Sequence, residues 1–151
     1  MQEYVVGFLF NNALDKVTLI RKNKPDWQKG LLNGPGGKIE NNESPSRAMT
    51  REFREECGIE LKEWDLFCTI YFKEAAVYFF KKRLPVGMRM EDLTRSVTSE
   101  TLEYIYIHSL PSERTIPNLQ WLIPMAISFS KGECAKAFEV TEIYEHETVR
   151  V

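Results

Sequence analysis

No stretch of this sequence is apolar for long enough to cross a bilayer as a helix. Neither charge sign is in excess. Lys and Arg total 20 against 22 Asp and Glu, for a net charge of -2. Without a broad basic field, a nucleic-acid backbone is not the expected partner, although a small anion met by a few local cations fits. Cysteine is scarce: Cys57, Cys68 and Cys134 are an odd number at wide spacing, with no CxxC pair to suggest zinc or redox chemistry. They read as reduced, mostly buried thiols, and the compartment expected is the cytoplasm. The opening MQEYVVGFLFNN carries an acid where a secretory signal carries positive charge, and its apolar run is short. Repeats, low-complexity tracts and linkers are also missing. What remains is 151 residues with 43% hydrophobic and 12% aromatic content, enough for one compact domain over residues 1–151.

The apolar and β-branched runs Tyr4–Phe10 and Lys16–Lys22 predict two buried strands joined by a hairpin at Asn11–Asp15. The second strand delivers Arg21 and Lys22 to its far end, as a solvated cationic terminus or as a phosphate contact. Residues 23–29 form a loop whose one large apolar group, Trp27, serves as a packing anchor or a base-stacking platform. Leu31–Asn33 is a short strand. Gly34, Pro35, Gly36 and Gly37 predict a turn with unusual φ values and a backbone open to close approach.

Ser44 and Pro45 mark a helix start, and Gly58 a stop after Cys57. Within that helix Glu52, Glu55 and Glu56 stand at i, i+3 and i+4, on one face, beside an apolar stripe of Met49, Phe53 and Cys57. Crowded carboxylates repel, and the cation that best relieves them is a divalent metal with oxygen ligands. The plain alternative is a solvated face paired with Arg51 and Arg54.

Trp64–Phe72 and Ala76–Phe80 predict an antiparallel pair of strands, whose aromatics belong to the core or to a homodimer surface. Residues 83–100 read as an irregular polar segment. Thr101–Ile107 alternates as a strand. Residues 118–131 read as a buried helix that bends or begins at Pro124, and residues 137–144 as a late strand. Strands alternating with two separated helices argue for an α/β sandwich on a mixed sheet.

Gly37, Glu43, Arg51, Glu52, Phe53, Glu55, Glu56, Gly58 and Ile59 together match the Nudix box: Gly, five residues, Glu, seven residues, Arg-Glu, an apolar residue, any residue, Glu-Glu, any residue, Gly and an aliphatic residue. The chain therefore resembles the Nudix hydrolases, and within them the MutT-like members. That resemblance implies a Nudix-type α/β/α sandwich and hydrolysis of a nucleoside diphosphate linked to some group X. It also implies Mg²⁺ or Mn²⁺ held by Glu52, Glu55, Glu56 and a carbonyl near Gly37, with an additional acid from outside the helix. Glu103 is expected in that place, with Glu100 and Glu74 as competitors. Glu52 is implied as general base and Arg51 as the residue that orients it, while Glu43 bonds near the helix entrance or closes the metal shell.

For substrate, Leu32-Asn33-Gly34-Pro35-Gly36-Gly37-Lys38 resembles the lead-in of enzymes that remove oxidised purine triphosphates. Asn118 resembles an Asn that reads guanine. A neutral amide offers both donor and acceptor to a purine edge, while turn formation for Asn33 and helix capping for Asn118 are the plain alternatives. Lys38 and Arg21 are candidate phosphate contacts. Features of NADH-cleaving, ADP-ribose and dinucleoside-polyphosphate members are missing from the region after the box. The expected substrate is an NTP or dNTP, cleaved to monophosphate and pyrophosphate by attack at the β-phosphorus. ADP-ribose or another conjugate is the runner-up, and a nucleotide-sensing module without turnover is the reading from a different class.

Overall fold

The structure is a computed structural model and describes residues 1–93, 99–128 and 137–141. Among them, eight strands form one mixed sheet flanked by two α-helices. β1 (Gln2–Phe10) is its centre. The strand meets β2 (Lys16–Arg21) across the expected hairpin, with Leu9 opposite Thr18, and pairs antiparallel through its first half with a later strand, β4 (Gly36–Lys38). Along its whole length it runs parallel to β6 (Ala75–Arg83), which pairs antiparallel with β5 (Asp65–Tyr71). β2 also carries β3 (Leu32–Asn33) and β7 (Thr101–Tyr106), while β8 (Phe138–Thr141) lies parallel to β5.

Both faces of the sheet are covered, which is why β1 is apolar throughout. Val5 and Leu9 pack with Met49, Phe53 and Cys57 of α1 (Pro45–Cys57). Phe8 and Phe10 pack with Leu119, Leu122 and Ile123 of α2 (Leu119–Ser128). The two helices therefore lie on opposite faces, giving the α/β/α sandwich that the sequence implied.

α1 is fixed at both ends by the residues expected to fix it. Ser44 Oγ accepts the Arg47 N–H at 3.3 Å, Pro45 occupies the first turn, and Gly58 closes the helix at φ 79° with its N–H on the Arg54 carbonyl. Ser44→Ala is expected to remove about 1 kcal/mol of stability. A thermal melt should register this as a fall of roughly 2–4 °C.

Gly34–Gly37 departs from expectation. Positive φ among the described glycines occurs at Gly30, Gly58 and Gly87, whereas Gly36 and Gly37 are extended in β4. Their requirement is space: a Cβ on Gly36 would stand 2.0 Å from the Val5 carbonyl oxygen, and one on Gly37 2.5 Å from the Glu52 carboxyl. α2 also differs, since it begins at Leu119 and runs through Pro124, after tight three-residue bonds from Leu119, Gln120 and Trp121. Its expected extension to Lys131, the reading of Cys134, the late strand beyond Thr141 and part of the polar segment 83–100 lie outside the described residues. No described helix is long and apolar enough to cross a membrane.

Candidate active site

Arg51 is the hub of the acidic face. Its side chain is 17% exposed and uses its planar fork on four partners. Nε and Nη2 donate to the two oxygens of Glu43 at 2.7 and 2.9 Å, and Nη2 also donates to the Lys38 carbonyl at 3.0 Å. Nη1 donates to Glu52 Oε1 at 2.7 Å and to Glu55 Oε2 at 3.3 Å. The hydrogen bond from Arg51 holds the Glu43 carboxyl below the usual carboxylate range. Glu43 thus braces Arg51 at the helix entrance, and its own N-terminal side is tied by the Glu40 N–H on its Oε2 at 3.0 Å.

Glu52 and Glu56 point to the sheet, where Gly37 makes room for Glu52 and the Gly36 backbone hydrogen-bonds Glu56. Both Glu52 oxygens lie within 2.6 Å of where a Gly37 Cβ would stand. Burial raises the Glu52 pKa, against the hydrogen bond from Arg51. Glu56 is 9% exposed, and burial pushes its carboxyl up to about 8. The Lys22 ammonium and a hydrogen bond from Gly36 oppose that rise, while the charges of Glu52 and Glu100 add to it. One Glu56 oxygen, Oε2, is buried with no hydrogen-bond partner. Such an orphaned carboxylate oxygen is costly unless something cationic meets it.

Glu100 is the acid that the fold brings to Glu56. It is 7% exposed, accepting from Lys22 Nζ at 3.1 Å and from the Asn23 N–H at 2.8 Å. Glu103 stands elsewhere. Its two oxygens take Arg21 Nε at 2.6 Å and Nη2 at 2.9 Å, and Arg21 Nη1 is spent on the Gly30 carbonyl at 3.0 Å. The cause is the two-residue period of a strand. On β7, Glu103 shares a face with Ile105, which packs in the α2 cluster, whereas Leu102 packs in the α1 cluster with the acidic helix. Arg21 likewise shares the face of Leu19, on the α2 side. Glu103 and Arg21 therefore neutralise each other away from Glu56, and the next residue, Lys22, takes the position expected of Arg21. The sequence placed Lys22 at the strand end and Glu100 among the competitors; the face of each strand that meets α1 was the signal needed to select them.

A cavity of about 500 Å³ opens beside these acids. Gly36, Gly37 and Lys22, which touch the acids, line it together with Asn33, Trp27 and Asn118. Phe72, Val77 and Phe79 of the β5–β6 hairpin supply apolar surface to it, and Phe79 and Phe80 are buried in the core. Asn118 Oδ1 is buried without a partner, whereas Asn33 Oδ1 accepts the Gly34 N–H at 2.8 Å. Trp27, 67% exposed, lines the cavity rather than serving as a packed anchor. Lys38 is exposed and lines a separate shallow depression with Glu40 and Glu43. Its carbonyl, not its ammonium, serves the site through Arg51.

Among the described residues no three His, Cys, Asp or Glu side chains stand ready-made around a metal position. The donors nevertheless suit a hard divalent cation, because all are oxygens, the charges of Glu52 and Glu100 raise the pKa of Glu56, and Glu56 Oε2 has no protein partner. Lys22 and Arg51 currently supply the positive charge.

Residues 1–145 match the family model described as the NUDIX domain. Two curated relatives are both named 8-oxo-dGTP diphosphatase. That of Buchnera aphidicola (subsp. Schizaphis graminum) is 33% identical over 78 residues, 50% of this chain and 58% of the relative. That of Proteus vulgaris is 44% identical over 41 residues, 27% of this chain and 37% of the relative. The chain thus matches little more than half the length of the first and less of the second. Among solved structures, MutT from work on Aliivibrio salmonicida and Vibrio cholerae superposes with a TM-score of 0.69 at 25% identity, covering 85% of this chain and 98% of that one. The NUDIX domain of Shewanella oneidensis NrtR, solved with ADP ribose, has a TM-score of 0.68 at 16% identity and covers 83% of this chain and 85% of that one; this likeness is one of fold.

Proposed function

The chain belongs to the NUDIX domain family, and from that premise we propose that it is a Mg²⁺- or Mn²⁺-dependent pyrophosphohydrolase. Its substrate in this reading is a purine nucleoside triphosphate, oxidised or not, cleaved to the monophosphate and pyrophosphate. The observation that carries the proposal is a single one: half-buried Glu52 and buried Glu56 back onto the Gly36–Gly37 wall of a cavity that Asn118, its Oδ1 unpartnered, also lines. The names of the two curated relatives favour the same substrate class.

Glu52, Glu55 and Glu56 would hold the cation beside the Gly37 backbone, with Glu100 in the role the sequence gave to Glu103. When bound, such a cation supplies the positive charge that lets an oxygen nucleophile approach a polyanionic phosphate. Glu52 takes the proton from the attacking water. Its raised pKa makes it a better base near neutrality than an exposed carboxylate would be, and Arg51 holds it against β4 so that it cannot swing away. The water oxygen bonds to the β-phosphorus, and the bond from that phosphorus to the α,β-bridging oxygen breaks. That oxygen leaves with the monophosphate. Asn118 and Asn33 read the base edge while Trp27 covers its face.

The test is product identity on a panel of dGTP, 8-oxo-dGTP and ADP-ribose with Mg²⁺. Triphosphates are expected to yield pyrophosphate and a monophosphate. Two monophosphates from ADP-ribose, in preference to triphosphate turnover, would overturn the substrate assignment. Tight binding with no turnover would make the chain a sensor. Asn118→Ala is expected to reduce discrimination between purine triphosphates by about tenfold, since a buried amide that loses its partner costs roughly 1–3 kcal/mol. An unchanged kcat/KM ratio would remove Asn118 from base recognition.

A further inference from the structure

Among the described residues, Lys22 is the one charged side chain that belongs both to the acidic cluster and to the cavity lining. Its ammonium donates to Glu100 at 3.1 Å, its charge acts on Glu56, and its side chain lines the cavity wall. The backbone around it is pinned: the Lys22 N–H donates to the Leu31 carbonyl and its own carbonyl accepts from the Gly30 N–H, each at 2.8 Å. Only the four-carbon stem is left to move. Glu100, in contrast, is held a second time by the Asn23 N–H at 2.8 Å, and so stays in place whether or not the lysine does.

We propose that Lys22 is a built-in counter-cation that couples metal binding to substrate binding. In the metal-free protein its ammonium neutralises Glu100 and the neighbouring Glu56. When a divalent cation binds among Glu52, Glu56 and Glu100, the ammonium leaves Glu100 and turns into the cavity, toward the polyanionic part of the ligand. Two cations against one buried carboxylate repel strongly in a medium of low dielectric, whereas a single ammonium on a flexible stem carries its charge elsewhere at little cost. Arg21, one residue earlier, has no such freedom, because its fork is locked bidentate on Glu103. The ligand class that gains is any anion of the phosphate-ester type entering this cavity, and the inference rests on the metal-site reading above.

The experiment uses the full chain without turnover. Mn²⁺ affinity is measured by calorimetry for the wild type and Lys22→Met, with and without the non-hydrolysable α,β-imido analogue of dGTP. Without the analogue, Lys22→Met is expected to bind Mn²⁺ about fivefold more tightly, because a competing cation is gone. In the wild type the analogue and Mn²⁺ are expected to strengthen each other by about tenfold, falling to about twofold in Lys22→Met. Equal or weaker Mn²⁺ affinity in the variant would make Lys22 a structural tether of the 23–30 loop and overturn the proposal. A measurement on the wild type alone guards against a misfolded variant: the side-chain ammonium signal of Lys22, protected by Glu100, is expected to shift and exchange faster with water on adding Mg²⁺. A signal that does not move contradicts the proposal. If Mn²⁺ binds and Lys22 responds but no nucleotide is turned over, the hydrolase reading fails and this inference stands. If nucleotides turn over while Lys22 never leaves Glu100, the reverse holds.

Discussion

Glu56→Gln is expected to abolish divalent-cation binding and, without metal, to make the protein more stable than the wild type above pH 8. Burial holds the Glu56 proton up to about 8, against 4.5 for an ordinary glutamate carboxyl. Between those two values the folded state keeps a proton that the unfolded chain has released, so wild-type stability falls as pH rises through this window. The full cost is present above 8. At about 1.4 kcal/mol per pKa unit, the cost is on the order of 5 kcal/mol. Glutamine never ionises, and its stability should not carry this slope. Urea unfolding at pH 5 and pH 9 in a chelator therefore separates the two proteins: near-equal stability at pH 5, and an advantage of about 2 kcal/mol or more for Glu56→Gln at pH 9. Adding Mg²⁺ at pH 9 is expected to reverse the order, because a ligand of the folded state stabilises the wild type and finds no charge on the variant. Parallel pH profiles would show that Glu56 ionises freely and is not the orphaned acid at the centre of the site.

Two alanine substitutions one residue apart are expected to fail in different ways. At Gly37 a Cβ would stand 2.5 Å from the Glu52 carboxyl carbon and Oε1. That carboxylate has little room to yield, since Arg51 grips it at 2.7 Å and is itself gripped by Glu43 and the Lys38 carbonyl. Gly37→Ala should displace the base by a fraction of an ångström to about 1 Å and lower kcat by about a hundredfold, as misplacement of a reacting group does. Its melting temperature should fall by only a few degrees and its KM should change little. At Gly36 the clash is with backbone, 2.0 Å from the Val5 carbonyl oxygen. Relief there requires the pairing of β1 with β4 to open, and Gly36→Ala is expected to cost about 3 kcal/mol or more. Parallel melting curves and steady-state kinetics distinguish the outcomes. Full activity in Gly37→Ala would mean that Glu52 does not work against that wall.

The difference between those glycines also marks what the sequence could and could not convey. α1 was legible in full because its signals are local and chemical: an oxygen cap at Ser44, a proline in the first turn, a left-handed glycine at its end, and carboxylates spaced by the helical period. The sandwich followed from strands alternating with two separated helices, and its α/β/α layering from the resemblance. β4 was not legible, because Gly36–Lys38 is three residues long and its strand character comes wholly from its pairing with β1. The pairing of β1 with β6, across more than sixty residues of chain, leaves no local trace. The same limit explains Glu103. Alternation in β7 was plain, but which face looks toward α1 depends on the handing of β7 to β2, and that contact moved the cluster acid from Glu103 to Glu100. Lys22 and Arg21 were exchanged for the same reason. The cavity, finally, is assembled from the 22–28 loop, β4, the β5–β6 hairpin and the start of α2, so its residues could be proposed singly and not as a group.

In the proposed reaction Glu52, set by Arg51 against Gly37, activates the water that cleaves a nucleoside triphosphate between its α- and β-phosphates. Hydrolysis of the preferred triphosphate in ¹⁸O-labelled water with Mg²⁺, read by mass spectrometry for wild type and Glu52→Gln, tests it most directly. The expected result is one ¹⁸O in the pyrophosphate, none in the monophosphate, and a fall of at least about a hundredfold in kcat for the variant. Label in the monophosphate would contradict attack at the β-phosphorus, and undiminished turnover by Glu52→Gln would contradict the base.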